Sequence, residues 1–137
     1  LNDMPAADAA WTFSEDEAAR WDLLLKLRTD VNRALEAARA AKVIGKPLDA
    51  SVALYFNAAG WKAFQAVADL DLRTLFIVSD VTAEEGEGVG MPGDYIPGGS
   101  VAASACTAPK CARCWTRSPA VSPETELCPR CAAVLGK

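Results

Sequence analysis

At 137 residues, with 51% hydrophobic and 23% charged positions, the chain has room for one modest domain or a small domain with appended pieces, and a catalytic domain with its own cofactor fold would be cramped. A net charge of −4 argues against an unstructured basic tail that holds nucleic acid by charge alone. The lack of any histidine removes the usual general base, the Ser-His and Cys-His couples and every His-containing metal site. No apolar run reaches the roughly 18 residues a membrane span needs, so a soluble protein is expected. The opening LNDMPAADAA has neither the basic nor the apolar region of a signal peptide, so reduced thiols in a cytoplasm are expected. A first residue of Leu suits a piece cut from a longer polypeptide. The charge is uneven: residues 1–105 carry 9 Lys/Arg against 16 Asp/Glu, whereas residues 106–137 carry 5 against 2.

The first element is a long helix between Phe13 and Gly45. Ser14 with Glu17 forms a capping box, Glu15, Asp16 and Glu17 suit the positive end of the helix dipole, and Gly45 before Pro47 supplies a stop. Trp21, Leu24, Leu25, Val31, Leu35 and Ala38 recur at helical spacing as a buried stripe, which leaves Arg20, Arg28, Arg33, Arg39, Lys42 and Lys46 towards solvent or a partner. One helix cannot bury its own stripe, so it must pack on the rest of this chain or on another domain. ASVALYF then alternates Val52, Leu54 and Phe56 against Ala53 and Tyr55, a strand with one core face. A short helix follows, with Trp61, Phe64, Val67 and Ala68 as its buried side. LRTLFIVSDV reads as a second strand and TAEEGEGVGMPGDYIPGG as a long mobile loop in which Glu84, Glu85 and Glu87 are solvated. Its GEGVG lacks the Lys-Ser/Thr and the strand-turn-helix setting of a phosphate cradle. Ser100 to Ala105 is read as a third strand. The expected fold class is α+β: a long helix, a small mixed α/β unit with a short sheet, and a terminal four-cysteine zinc ribbon or knuckle.

Cys111, Cys114, Cys128 and Cys131 read as C-x2-C-x13-C-x2-C. A two-residue gap lets both sulfurs of a pair bend towards one centre, and two such knuckles supply four ligands to a tetrahedral ion. Soft thiolates favour one Zn²⁺, and four protein ligands leave no open position, so the site is structural. A thioredoxin-type redox pair needs a βαβ frame and no second pair, a disulfide framework suits secreted chains, and an iron centre on four thiolates is chemically open but less common at this spacing. Cys106 is left over and reads as a small, half-buried thiol. Trp115, directly after the second ligand, is either a cover on the cluster or a platform for a nucleic-acid base. Lys110, Arg113, Arg117 and Arg130 sit in or beside the knuckles; solvated charge is the default for them, and their concentration makes a phosphate-facing patch plausible. No catalytic constellation is present.

LLLKLRTDVNRALEAARAAKVIGKPLDASVALYF, then LFIVSDV, then KCARCW and LCPRC, closely resembles the C-terminal end of bacterial isoleucyl-tRNA synthetase from about Trp11 onward. The resemblance implies that residues 1–47 are the last helix of an anticodon-binding bundle, 48–105 a small junction domain and 106–137 a zinc-binding module. It further implies a parent that charges the isoleucine tRNA with ATP, using catalytic and editing domains absent here, so this piece alone should aminoacylate nothing. By matching position, Cys111, Cys114, Cys128 and Cys131 correspond to the zinc ligands, Arg113 and Trp115 to the C-x-R-C-W pattern, and Arg28, Arg39 and Lys42 to basic helix positions. The implied partners of this monomer are isoleucine tRNA and the remainder of the synthetase, with no membrane. Thr116-Arg117 departs from the His-Tyr that relatives often place after the Trp, and the chain ends at Lys137 without the basic tail of some relatives. Two competing readings are a finger that grips duplex DNA, as in DNA glycosylases, and a zinc-stapled domain that only packs on its parent. The first needs an upstream helix–two-turn–helix and usually puts Gly where Trp115 stands.

Overall fold

The computed structural model describes residues 3–136 apart from Pro5 and Pro97. Helix α1 (Glu15–Ala40) starts as expected: Ser14 Oγ accepts the Glu17 amide and the Glu17 carboxylate accepts the Ser14 amide. These bonds, the Ser14 amide first, hold the Glu17 carboxyl below its usual range. The cap therefore favours the folded helix at neutral pH and loses that contribution as pH falls through the lowered value.

The helix ends earlier than the Gly45-Pro47 stop. Lys42 takes φ +57°, its amide donates to Arg39 O at 3.0 Å, and the Val43 amide donates to Ala38 O at 2.9 Å, a Schellman ending built on a residue with a Cβ. That conformation costs an L-residue about 1–2 kcal/mol. Lys42→Gly should therefore stabilise the chain by up to about 1 kcal/mol, seen as a higher melting temperature; a lower one would show that the lysine side chain contributes more than the strain removes.

The buried stripe is Leu24, Leu27, Val31, Ala34, Leu35 and Ala38. Trp21 and Leu25 belong to the outer surface, a correction with a simple cause: adjacent helical residues point about 100° apart, so Leu25 cannot share the face of Leu24. Trp21 instead stacks on Phe13, with ring centroids 6.3 Å apart.

Strand β1 (Ala50–Phe56) buries Ala50, Val52, Leu54 and Phe56 and leaves Ser51, Ala53 and Tyr55 half-buried on the opposite face. Helices α2 (Ala58–Phe64) and α3 (Leu72–Phe76) form the crossover that its parallel partner β2 (Asp80–Glu85) requires. With β3 (Met91–Pro92) and β4 (Gly99–Ala105) the sheet order is β2-β1-β4-β3, and β4 runs antiparallel to both neighbours. The stripe of α1, the core face of β1, and Phe64, Val67, Phe76 and Val78 make one core.

LRTLFIVSDV is not one strand. Asp71 accepts from Thr74 Oγ1 at 2.7 Å and from the Thr74 amide at 3.4 Å, capping a helical turn that ends on Ile77 at φ +59°. This local cap overrides the β-propensity of the bulky residues, and the strand starts only at Asp80. The acidic stretch expected as a mobile loop is also partly ordered. β2 runs on to Glu85, and the carboxylate of the buried Asp30 on α1 accepts the amides of Asp94 (3.0 Å), Tyr95 (3.1 Å) and Ile96 (3.1 Å). Arg33 pairs with Asp94, lies 3.7 Å from Asp30 and donates to Pro92 O at 3.3 Å, so it is not simply solvated. Pro97, within that stretch, lies outside the described residues. Gly98 takes φ +73°, and a Cβ there would fall 2.0 Å from Asn57 Nδ2, so only glycine fits the turn into β4.

Candidate metal centre

The first knuckle closes on its own backbone: the Trp115 amide donates to Cys111 O at 2.9 Å and the Cys111 amide to Thr116 O at 3.0 Å. Lys110 and Arg117 then meet across an antiparallel bridge. The second knuckle opens α4 (Pro129–Leu135), with Cys128 at its N-cap and Pro129 at the first helical position, where a missing N–H costs no hydrogen bond. The Ala112 amide ties the two knuckles together through Glu126 O at 2.9 Å. Val121 and Leu127 pack against Cys111 and Cys131 as a separate small core.

These turns bring the sulfurs of Cys111, Cys114, Cys128 and Cys131 within 4.8 Å of one another. Cys114 and Cys128 stand 3.8 Å apart, which matches the edge of about 3.8 Å of a tetrahedron with Zn–S bonds of about 2.3 Å. Two donors outside the set are in place for anionic sulfur. The Cys128 amide points at Cys111 Sγ (3.4 Å) and Arg113 Nη1 at Cys131 Sγ (3.8 Å). The residues fit a structural zinc, which when bound would hold four thiolates and leave no place for substrate.

The folded geometry sets the thiols apart. The Cys114 amide, followed by those of Cys128 and Arg113, brings the Cys111 thiol down to about 6, whereas burial pushes Cys131 up to about 11. Without metal the finger loses that geometry and its thiols return to their ordinary range, protonated at neutral pH, so zinc loading should release close to four protons, countable with an indicator dye in weak buffer. As pH falls, protons compete with the metal for all four sulfurs, and affinity should drop. Release of only about two protons at neutral pH would contradict ligation by all four sulfurs.

The other predicted site residues are dispersed. Trp115 is half-exposed at φ +67°, with Lys46 Nζ 4.7 Å and Lys110 Nζ 5.3 Å from its ring centroid. Arg113 backs the metal cluster. Arg117 is half-buried and paired with Asp49 at 3.0 Å. Arg130 is exposed on α4 and borders a cleft of about 600 Å³ between α3 and the finger. On α1, Arg28 is exposed, Arg39 pairs with Glu36 on its own helix, and Lys42 sits at the strained helix end. Cys106 is half-buried and its amide donates to Asp49 O at 2.8 Å; its sulfur is outside the cluster. Sequence reasoning named Lys46 only as a helix cation and missed Asp49 and Ser79, because nothing local marks contacts made across tens of residues.

The fold and the site define a four-cysteine zinc finger carried on an α+β body. Residues 109–134 match the family described as "Zinc finger found in FPG and IleRS". The isoleucine–tRNA ligase of Bacillus mycoides (strain KBAB4) is 37% identical over 142 residues, covering 98% of this chain and 15% of that protein. That of Desulfitobacterium hafniense (strain DSM 10664 / DCB-2) is 38% identical over 97% of this chain and 15% of its own length. That of Syntrophotalea carbinolica is 40% identical over 85% of this chain and 13% of its own length. Along nearly its whole length the chain is therefore a relative of the isoleucine–tRNA ligases and matches their zinc-binding C-terminal region. It spans about 15% of the length of the curated relatives it matches.

Proposed function

We propose that this chain is the zinc-stabilised, tRNA-binding end of an isoleucine–tRNA ligase and contributes to recognition of the anticodon arm during aminoacylation. Activation of the amino acid with ATP belongs to the rest of that parent, and this piece alone charges no tRNA. Protein synthesis places it in the cytoplasm; no helix among the described residues is long and apolar enough to cross a membrane.

The observation that carries this reading is Trp115. A bulky residue at positive φ costs about 1–2 kcal/mol, and such strain persists where the surrounding structure enforces it, often at a ligand site. Here the strained backbone carries a half-exposed ring with two ammonium groups over it. An unpaired base stacking on Trp115 would displace one of these flexible side chains from the ring face and leave its charge for the adjoining phosphate, combining a sequence-tolerant platform with charge. Arg28 and Lys42 offer a second, sparser contact on α1.

Stacking is worth about 1–3 kcal/mol per base, so Trp115→Ala should weaken binding of isoleucine tRNA by about tenfold or more while zinc content stays constant. Charge reversal of Arg28 and Lys42 to Glu should weaken it further. Unchanged affinity in both variants would leave a zinc-stapled domain whose work is packing alone.

A further inference from the structure

We propose that Arg117 is a positioning residue: it latches the finger onto the α+β body and thereby assembles the Trp115 platform from two separate segments. The structural half stands on its own contacts, and the functional half rests on the tRNA-binding reading above.

Arg117 crosses the seam at two points: its Nε donates to Asp49 Oδ1 at 3.0 Å and its backbone amide to Ser79 Oγ at 2.7 Å. Its Nη1 also donates to Ala108 O at 3.3 Å, within the finger. Ser79 is buried and fixed in turn, donating to Leu48 O at 2.6 Å. Asp49 also receives the Cys106 amide on its carbonyl at 2.8 Å, so one turn of the body holds both the entry to the finger and the strand that leaves its first knuckle.

The same two short segments build the platform. Lys46, three residues before Asp49, comes from the body; Trp115, two residues before Arg117, comes from the finger. Lys46 reaches the Trp115 ring across the same seam that the Arg117–Asp49 pair closes. Beyond this seam the finger stands away from α3 across the cleft lined by Ile77, Thr74, Ser118 and Arg130, so the latch has little lateral support. A guanidinium held by a half-buried carboxylate is also poorly placed to serve a phosphate. Arg117 thus acts on RNA through Trp115 and Lys46, and its loss lowers affinity by the fraction of chains left docked.

The test uses the zinc-loaded full chain as wild type, Arg117→Ala, Asp49→Asn, the double variant, and the charge swap Arg117→Asp with Asp49→Arg. Amide hydrogen exchange at Cys106 and at position 117, the two amides donated across the seam, should quicken about tenfold in Arg117→Ala with zinc retained. Isoleucine-tRNA affinity should fall about tenfold, with the slope of log K against log salt unchanged. The double variant should be no worse than either single one, and the charge swap should recover part of the loss. Unchanged exchange at both amides would overturn the latch. A salt slope reduced by about one would overturn it in favour of a direct phosphate contact. Should the wild-type chain bind no tRNA, the functional half falls, while exchange still decides whether Arg117 docks the finger.

Discussion

Chelating the metal, or replacing Cys114 by Ser, should melt residues 106–136 and leave α1 and the sheet folded. The finger's own core is Val121 and Leu127 beside the cysteines, and burying two such side chains supplies about 1.5–3 kcal/mol each. Ordering a backbone residue costs about 1–2 kcal/mol, so a segment of this size has far too little apolar burial to hold its shape. Structural zinc contributes apparent binding of about 10–16 kcal/mol in finger peptides. None of the four clustered sulfurs lies in the α+β body, whose buried core runs from Leu24 to Val101. Metal analysis of purified protein should give about one zinc per chain. On chelation, exchange protection should vanish at amides such as those of Cys111, Ala112 and Trp115 and persist in α1. A reduced, folded sample with a protected finger and no metal would defeat the zinc assignment.

Asp30→Ala should cost about 3–5 kcal/mol, the largest effect expected outside the finger. The carboxylate is buried and takes three consecutive backbone amides, while Arg33 spans it, Asp94 and Pro92. Truncation strands those donors and leaves the guanidinium with Asp94 and the Pro92 carbonyl, and a donor stripped of its partner costs more than an intact bond contributes. Asp30→Asn keeps an acceptor oxygen and should cost less, about 1–3 kcal/mol. The denaturant midpoint reads both, and exchange at residues 94–96 locates the damage. A midpoint shift in Asp30→Ala equivalent to under about 0.5 kcal/mol would put that position in the range of ordinary surface substitutions.

How far the fold was legible follows the range of its interactions. The capping box at Ser14, the alternation of β1 and the paired Cys-x-x-Cys knuckles are short-range signals, and each is realised where the sequence places it. The errors came where one contact outweighed local composition. Asp71 capping Thr74 turned an apparent strand into helix, and Asp30 reaching 64 residues along the chain anchored a segment that Gly, Pro and Glu made look loose. The cysteine cluster could be read from spacing alone, because two-residue gaps restrict where the sulfurs can go. The surroundings of Trp115 could not. The approach of Lys46 depends on how the finger docks, and that rests on Asp49 and Ser79, which no motif marks.

The most direct measurement is filter binding of the zinc-loaded chain to isoleucine tRNA and to duplex DNA of equal charge, repeated across salt and with Trp115→Ala. The tRNA-binding account predicts preference for the tRNA, weakening as salt rises, and loss of about tenfold or more on removing the Trp115 ring. Equal or tighter binding to the duplex, or tRNA affinity indifferent to Trp115, would contradict it.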